Sequence, residues 1–180
     1  GHGRLNVVGA IMKSCNYYFY EVSNRIGVET LGEFARYFGF GKKTGIEISE
    51  TVAPLASAER KMEGMKDSLW YYLYSTAVNY WPQKVIADDA KLQKEIDTIV
   101  SWTEENPSRD EIIERIEKQT SIFKSKVETV TDICKYSYFN QASWTIGDEY
   151  NISIGQGDNS YTVAQMARYV ATLGNDGLRN

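Results

Sequence analysis

The stretch "KSCNYYFY", residues 13–20, sets Ser14 and Asn16 two positions apart ahead of an aromatic run. A hydroxyl donates and accepts at once, so a serine can relay a proton. A carboxamide offers both a carbonyl and an NH₂, so an asparagine can grip an amide. Acyl transfer needs such a relay between a nucleophile and a leaving amine. A spacing of two on a tight turn lets Ser14 and Asn16 face one cleft while Cys15 points away. The same pair also suits plain capping of a helix that begins near Tyr17, and local sequence alone favours that use.

Other chemistries find little support. The one histidine, His2, stands almost at the chain's start, a poor place for the base of a Ser-His-Asp triad. Two cysteines, Cys15 and Cys134, make neither a disulfide framework nor a metal set. No cofactor and no metal is implied. The net charge of −4 argues against nucleic acid, which asks for a clustered basic surface.

The totals fit a folded chain. Hydrophobic residues make up 42% and charged residues 24% of 180 residues, enough to build a core and too apolar for broad disorder. No apolar run approaches the roughly 20 residues that cross a bilayer. Gly1-His2-Gly3 shows no charged region followed by an apolar run, so no signal peptide is read and the segment is expected to be soluble.

The elements that must position the pair follow from spacing. Asn6 caps a short turn over "NVVGAIMK". Phe19, Val22 and Ile26 keep helical spacing and Gly27 stops that helix. Thr30 and Glu33 form a capping box for a helix whose core face is Leu31, Phe34, Ala35 and Phe38. "IEI" at 46–48 alternates and predicts a short strand. From Met62 the chain turns helical: an aromatic run "LWYYLY" read mainly as core, then Leu92, Ile96 and Ile99 on one face. A Ser108–Glu111 box follows, and then one long amphipathic helix through Ile112, Ile116, Phe123, Val127, Val130 and Cys134. Beyond Trp144, Tyr150, Ile152 and Ile154 alternate as a strand. Gly155-Gln156-Gly157 comes next, and a Thr162–Gln165 box opens the last helix. Residues 62–143 contain 10 Lys+Arg and 14 Asp+Glu while the remainder holds 10 of each, so the helical segment carries the whole acidic balance.

Residues 1–49, and "NISIGQGDNSYTVAQMARYVATLGNDG" at 151–177, strongly resemble the transpeptidase domain of class B penicillin-binding proteins. The shared pieces are S-x-N before a helix, a G-F-G-x-K-T-G-I turn, G-Q-G, and a T-x-x-Q helix. Val163 stands where the family usually has proline, a residue merely favoured at a first helical position. The resemblance covers residues 1–61 and 144–180; residues 62–143 have no counterpart in it. It implies a mainly α fold with a few short strands: a partial transpeptidase domain plus an α-helical insert.

The resemblance also implies function. The parent would be a serine D,D-transpeptidase that cross-links peptidoglycan stem peptides and is acylated by β-lactams. It would lie at the extracytoplasmic face of the cell membrane. Ser14 and Asn16 match the catalytic S-x-N, which reverses the local preference for a cap. Gln156 would lie near the rear of the substrate cleft, although the glycines around it also suit a plain strand-to-loop corner. The family's S-x-x-K nucleophile has only Ser121-Ile122-Phe123-Lys124 as a look-alike, read as exposed helix surface. Lys43-Thr44-Gly45 spells the family's third element but falls too soon after Asn16, and is read as a structural turn. The nucleophile and the catalytic K-T-G are expected outside residues 1–180, leaving the segment inactive alone. The rival reading is a non-catalytic helical module that recruits cell-wall or division proteins through residues 62–143.

Overall fold

The computed structural model describes residues 2–178. The helices are α1 (Val7–Met12), α2 (Asn16–Tyr37), α3 (Ala58–Ser75), α4 (Gln83–Ile86), α5 (Asp89–Ser101) and α6 (Arg109–Gln119). Then come α7 (Val127–Asp132), a π-helical stretch (Ile133–Phe139), α8 (Asn140–Ala142), α9 (Ile146–Ser153) and α10 (Val163–Gly174). Among the described residues there is no strand, which corrects the expected few short strands. Residues 46–48 are irregular. The alternating residues 150–154 lie in and just after α9, where a box between Thr145 and Asp148 starts a helix before the alternation begins. No described helix is long and apolar enough to cross a membrane.

The chain divides into two compact units: Ala58–Trp144, and the residues on either side of it. The 58–144 unit closes a core of its own. Leu69 and Leu73 of α3, Ile96 and Ile99 of α5, Ile112 and Ile116 of α6, and Val130 and Cys134 are buried together. Burial pushes the Cys134 thiol up to about 12. The aromatic run splits as its helical phase requires: Leu69 and Leu73 face the core, while Tyr71 is 70% exposed. In the π-helical stretch each turn takes more residues, and Cys134 and Phe139, five apart, are both buried.

The single long helix expected through residues 108–134 is broken. Its first part forms as read, with the Ser108 hydroxyl and Glu111 carboxylate capping each other's backbone N–H. Thr120 then turns extended (φ −131°, ψ 165°), and a 3-10 turn at Lys124–Lys126 leads into α7. The seven-residue step from Ile116 to Phe123 spans this break. Phe123 N–H instead donates to the Tyr80 carbonyl at 2.9 Å.

In the other unit α2 packs on α9. Tyr20 stacks on Tyr150 with centroids 4.9 Å apart. The buried Ser23 hydroxyl donates to the Glu149 carbonyl at 3.4 Å. Gly27, at φ +79°, kinks α2 as a left-handed residue must. The helix restarts directly beyond it, so Thr30 falls inside the new first turn and the Thr30–Glu33 box does not form. Leu31, Phe34, Ala35 and Phe38 line an open cavity of about 240 Å³ with Phe40 and Tyr161 instead of closing a core.

Candidate functional site

The turn carrying Ser14 is built by α1. Asn6 caps that helix, its side-chain oxygen accepting from Gly9 N–H at 2.9 Å. At the other end Cys15 N–H donates to the Ala10 carbonyl (2.9 Å) and Ser14 N–H to the Ile11 carbonyl (3.1 Å). These are the two bonds of a Schellman ending, with Ser14 at the left-handed position that glycine normally fills. Ser14 has φ +46°. For a residue with a Cβ this costs roughly 1–2 kcal/mol.

The backbone then turns straight into α2. Cys15 occupies the N-cap position without a side-chain capping bond, and Asn16 is the first helical residue. So neither Ser14 nor Asn16 caps the helix. Ser14 and Asn16 are exposed while Cys15, between them, is buried, and neither polar side chain holds a hydrogen bond among the described residues. Beside the turn lies an open pocket of about 570 Å³ that takes in Arg4, Leu5, Cys15, Tyr17 and Arg25, but not Ser14 or Asn16.

Gly155-Gln156-Gly157 closes α9 rather than a strand. Gly155 (φ +78°) and Gly157 (φ +71°) are left-handed, and a Cβ on Gly157 would meet the Asn151 Cβ at 3.2 Å. Gln156 N–H donates to the Asn151 carbonyl at 2.9 Å. The Asn159 amide donates to the Ile152 and Gln156 carbonyls, each at 3.2 Å. The Gln156 side chain itself is exposed.

Lys43-Thr44-Gly45 is a clamped turn. The Thr44 hydroxyl, Thr44 N–H and Gly45 N–H all donate to the Glu50 carboxylate. The Thr44 hydroxyl, with the two N–H groups behind it, holds that carboxyl below its usual range. From α10, Gln165 donates to the Lys42 carbonyl at 2.9 Å while its carbonyl oxygen caps Thr162 N–H. Lys43 is exposed and Gly45 takes φ +87°, as a structural turn requires. Glu50 was not foreseen, because no periodic pattern links it to Thr44.

Ser121-x-x-Lys124 lies at the helix break, not on a helix surface as expected. Glu95, 8% exposed, accepts from Ser121 N–H (2.6 Å), the Ser121 hydroxyl (2.7 Å) and the Trp81 indole N–H (2.7 Å). Three donors make a buried carboxylate tolerable. They also commit the Ser121 hydroxyl to a carboxylate rather than to Lys124. An acid between Leu92 and Ile96, on the apolar face of α5, was the sequence signal for this pin.

The penicillin-binding protein transpeptidase domain family matches over residues 1–180. The chain is 41% identical over 71 residues to "Peptidoglycan D,D-transpeptidase MrdA" of Acinetobacter baumannii, covering 39% of this chain and 10% of that protein. It is 42% identical over 50 residues to the Escherichia coli K12 protein of the same name (28% of this chain, 8% of that protein). To "Stage V sporulation protein D" of Bacillus subtilis it is 42% identical over 48 residues (27% and 7%). Each match spans a tenth or less of the relative's length. No solved structure matches. With the S-x-N turn, the clamped K-T-G-I turn, G-Q-G and the T-x-x-Q cap all in order along a chain that the family matches from end to end, this chain belongs to the penicillin-binding protein transpeptidase domain family.

Proposed function

We propose that the chain is a middle part of a class B peptidoglycan D,D-transpeptidase, in which Ser14 relays a proton and Asn16 grips the substrate amide. The attacking serine and the catalytic K-T-G strand come from outside residues 1–180, and residues 1–180 alone do not catalyse acyl transfer. In the parent, the serine oxygen bonds to the carbonyl carbon of the penultimate D-Ala of a stem peptide. The bond to the terminal D-Ala nitrogen breaks, and the serine proton passes through Ser14 to that departing amine. An amine of a second strand then bonds to the same carbonyl carbon, the ester C–O bond breaks, and the amine's proton returns to the serine oxygen, which completes the cross-link. A β-lactam follows the first step only: its ring nitrogen is the leaving group and stays tethered. Gln156 borders the rear of the same cleft. The parent is held in the cytoplasmic membrane with this domain outside.

One observation carries the reading. Ser14 holds a left-handed backbone in which glycine would be less strained, and both it and Asn16 present side chains with no structural task. The test labels the full-length protein with fluorescent penicillin. Ser14→Ala is expected to slow acylation about 10²–10⁴-fold, the range for a lost proton-transfer group. Full-rate labelling of both Ser14→Ala and Asn16→Ala would remove the assignment.

A second reading has its own support. Residues 58–144 close their own core, and residues 62–143 within them carry the acidic balance, as a helical module that recruits cell-wall or division proteins would. A full-length protein with no S-x-x-K before this segment and no K-T-G-[ST] after it would leave only that reading.

A further inference from the structure

We infer that the exposed aromatic face of α3 docks a basic peptide segment of a partner protein. This rests on the recruiting-module reading and names its surface and partner chemistry. Glu63, Asp67, Trp70, Tyr71 and Tyr74 recur at helical spacing on one side of α3. Tyr71 is 70% exposed and Tyr74 38%. Aromatic rings in contact with water on a folded unit mark an interaction surface more often than stray single residues do.

The rings are fixed before any partner arrives. Trp70 stacks on Tyr74 with centroids 4.9 Å apart and planes at 14°. The Trp70 indole N–H donates to Asp97 and the Tyr74 hydroxyl to Asp89, both at 2.8 Å. Gln93 steadies Asp89 from the same side of α5 at 2.7 Å. Such preorganisation lowers the entropy lost on binding. Because both polar handles are satisfied within the unit, the surface left for a partner is the ring area and the open carboxylate lone pairs.

Charge selects the partner. Asp89 and Asp97 bound the rings on one side, and Glu63 and Asp67 lie along α3 itself. Lys66, at the edge, is engaged by Glu104. A negative rim around electron-rich ring faces attracts guanidinium and ammonium groups, which can pair with carboxylates and lie over the rings. The same rim repels phosphate, so an anionic lipid surface or a nucleic acid is a poor fit.

The test selects random 12-residue peptides on the 180-residue chain. Enriched peptides are expected to combine arginine or lysine with apolar residues, to bind more weakly as salt rises, and to lose about tenfold or more affinity on Tyr71→Ala or Asp67→Lys. Both positions are on the surface, and melting curves check that the variants fold. Enriched peptides that lack a basic bias, or that bind both variants as tightly as the parent, overturn the inference while leaving the recruiting module standing. No enriched peptide at all overturns both. Self-association of the chain, or binding to phosphatidylglycerol vesicles, that Tyr71→Ala abolishes would assign the face to a second copy or to a membrane and overturn the basic-peptide assignment. Penicillin labelling of the full-length protein is expected to be unchanged by Tyr71→Ala, which separates this result from the Ser14 proposal.

Discussion

Leu73 and Phe34 both sit on amphipathic helices, yet Leu73 is 0% exposed and Phe34 60%. The contrast extends to their surroundings. In the 58–144 unit the apolar stripes of α3, α5, α6 and α7 meet one another and exclude water. In the flanking unit Val8, Ile11, Met12, Ile48 and Val170 all remain largely in solvent. What is well determined there is backbone: caps at Asn6, Thr145 and Thr162, left-handed glycines, and carbonyls and amides tied down by Gln165 and Glu50. One unit is held by packing, and the other by hydrogen-bonded turns that display side chains.

That contrast can be broken most sharply by truncation. Leu73→Ala is expected to cost about 2–5 kcal/mol in urea unfolding, from lost transfer energy and a residual cavity. Phe34→Ala should cost under about 0.5 kcal/mol, as surface changes do. Similar losses for both would mean that the flanking unit has a core as tight as its neighbour's.

A smaller effect tests whether the flanking turns give up stability for display. Ser14→Gly relieves a left-handed backbone but adds freedom to the unfolded chain. Stability should therefore stay level or rise by up to about 1 kcal/mol, while the full-length protein loses penicillin acylation as Ser14→Ala does. A clear drop in melting temperature would make Ser14 a structural residue.

The smallest expected effect is on pH. The Glu50 carboxyl lies below its ordinary 4.5 in the folded chain. Its bonds therefore add stability that is fully present above about pH 4.5 and is lost as pH falls through the folded value. The protection of the Thr44 and Gly45 amides, relative to their intrinsic exchange at each pH, should fall over that acidic range to the level that Glu50→Gln shows at neutral pH. Protection that is insensitive to both would show that α10 alone holds the turn.

Legibility in the sequence follows the same division. The boxes at Ser108–Glu111 and Thr162–Gln165 and the Asn6 cap were readable, because each depends on a partner only three residues away. The stripe in 62–143 was readable because its helices bury one another. The strand reading of 150–154 failed because alternation over three residues cannot outweigh the Thr145–Asp148 box upstream. Thr30–Glu33 failed because Gly27 restarts the helix too early for Thr30 to stand at its entrance. The continuous helix through Thr120 failed because apolar spacing does not register an extended residue in a seven-residue gap. At the site, the residue types at 14 and 16 were legible, but the backbone that presents them was not. A serine in place of the usual glycine gives no sign of a left-handed turn.

The π-helical stretch makes chain length itself a structural variable. Removing one residue from 133–139 would let the segment relax to ordinary α-geometry. Residues after it would keep their side of the axis, because residues four apart share a face of an α-helix as residues five apart do here. Phe139 and Ala142, buried now, would stay turned to the interior although the chain was one residue shorter. A single-codon deletion there would be absorbed as the stretch becomes α-helix, while the same deletion inside α5 would turn the rest of that helix by about 100° about its axis.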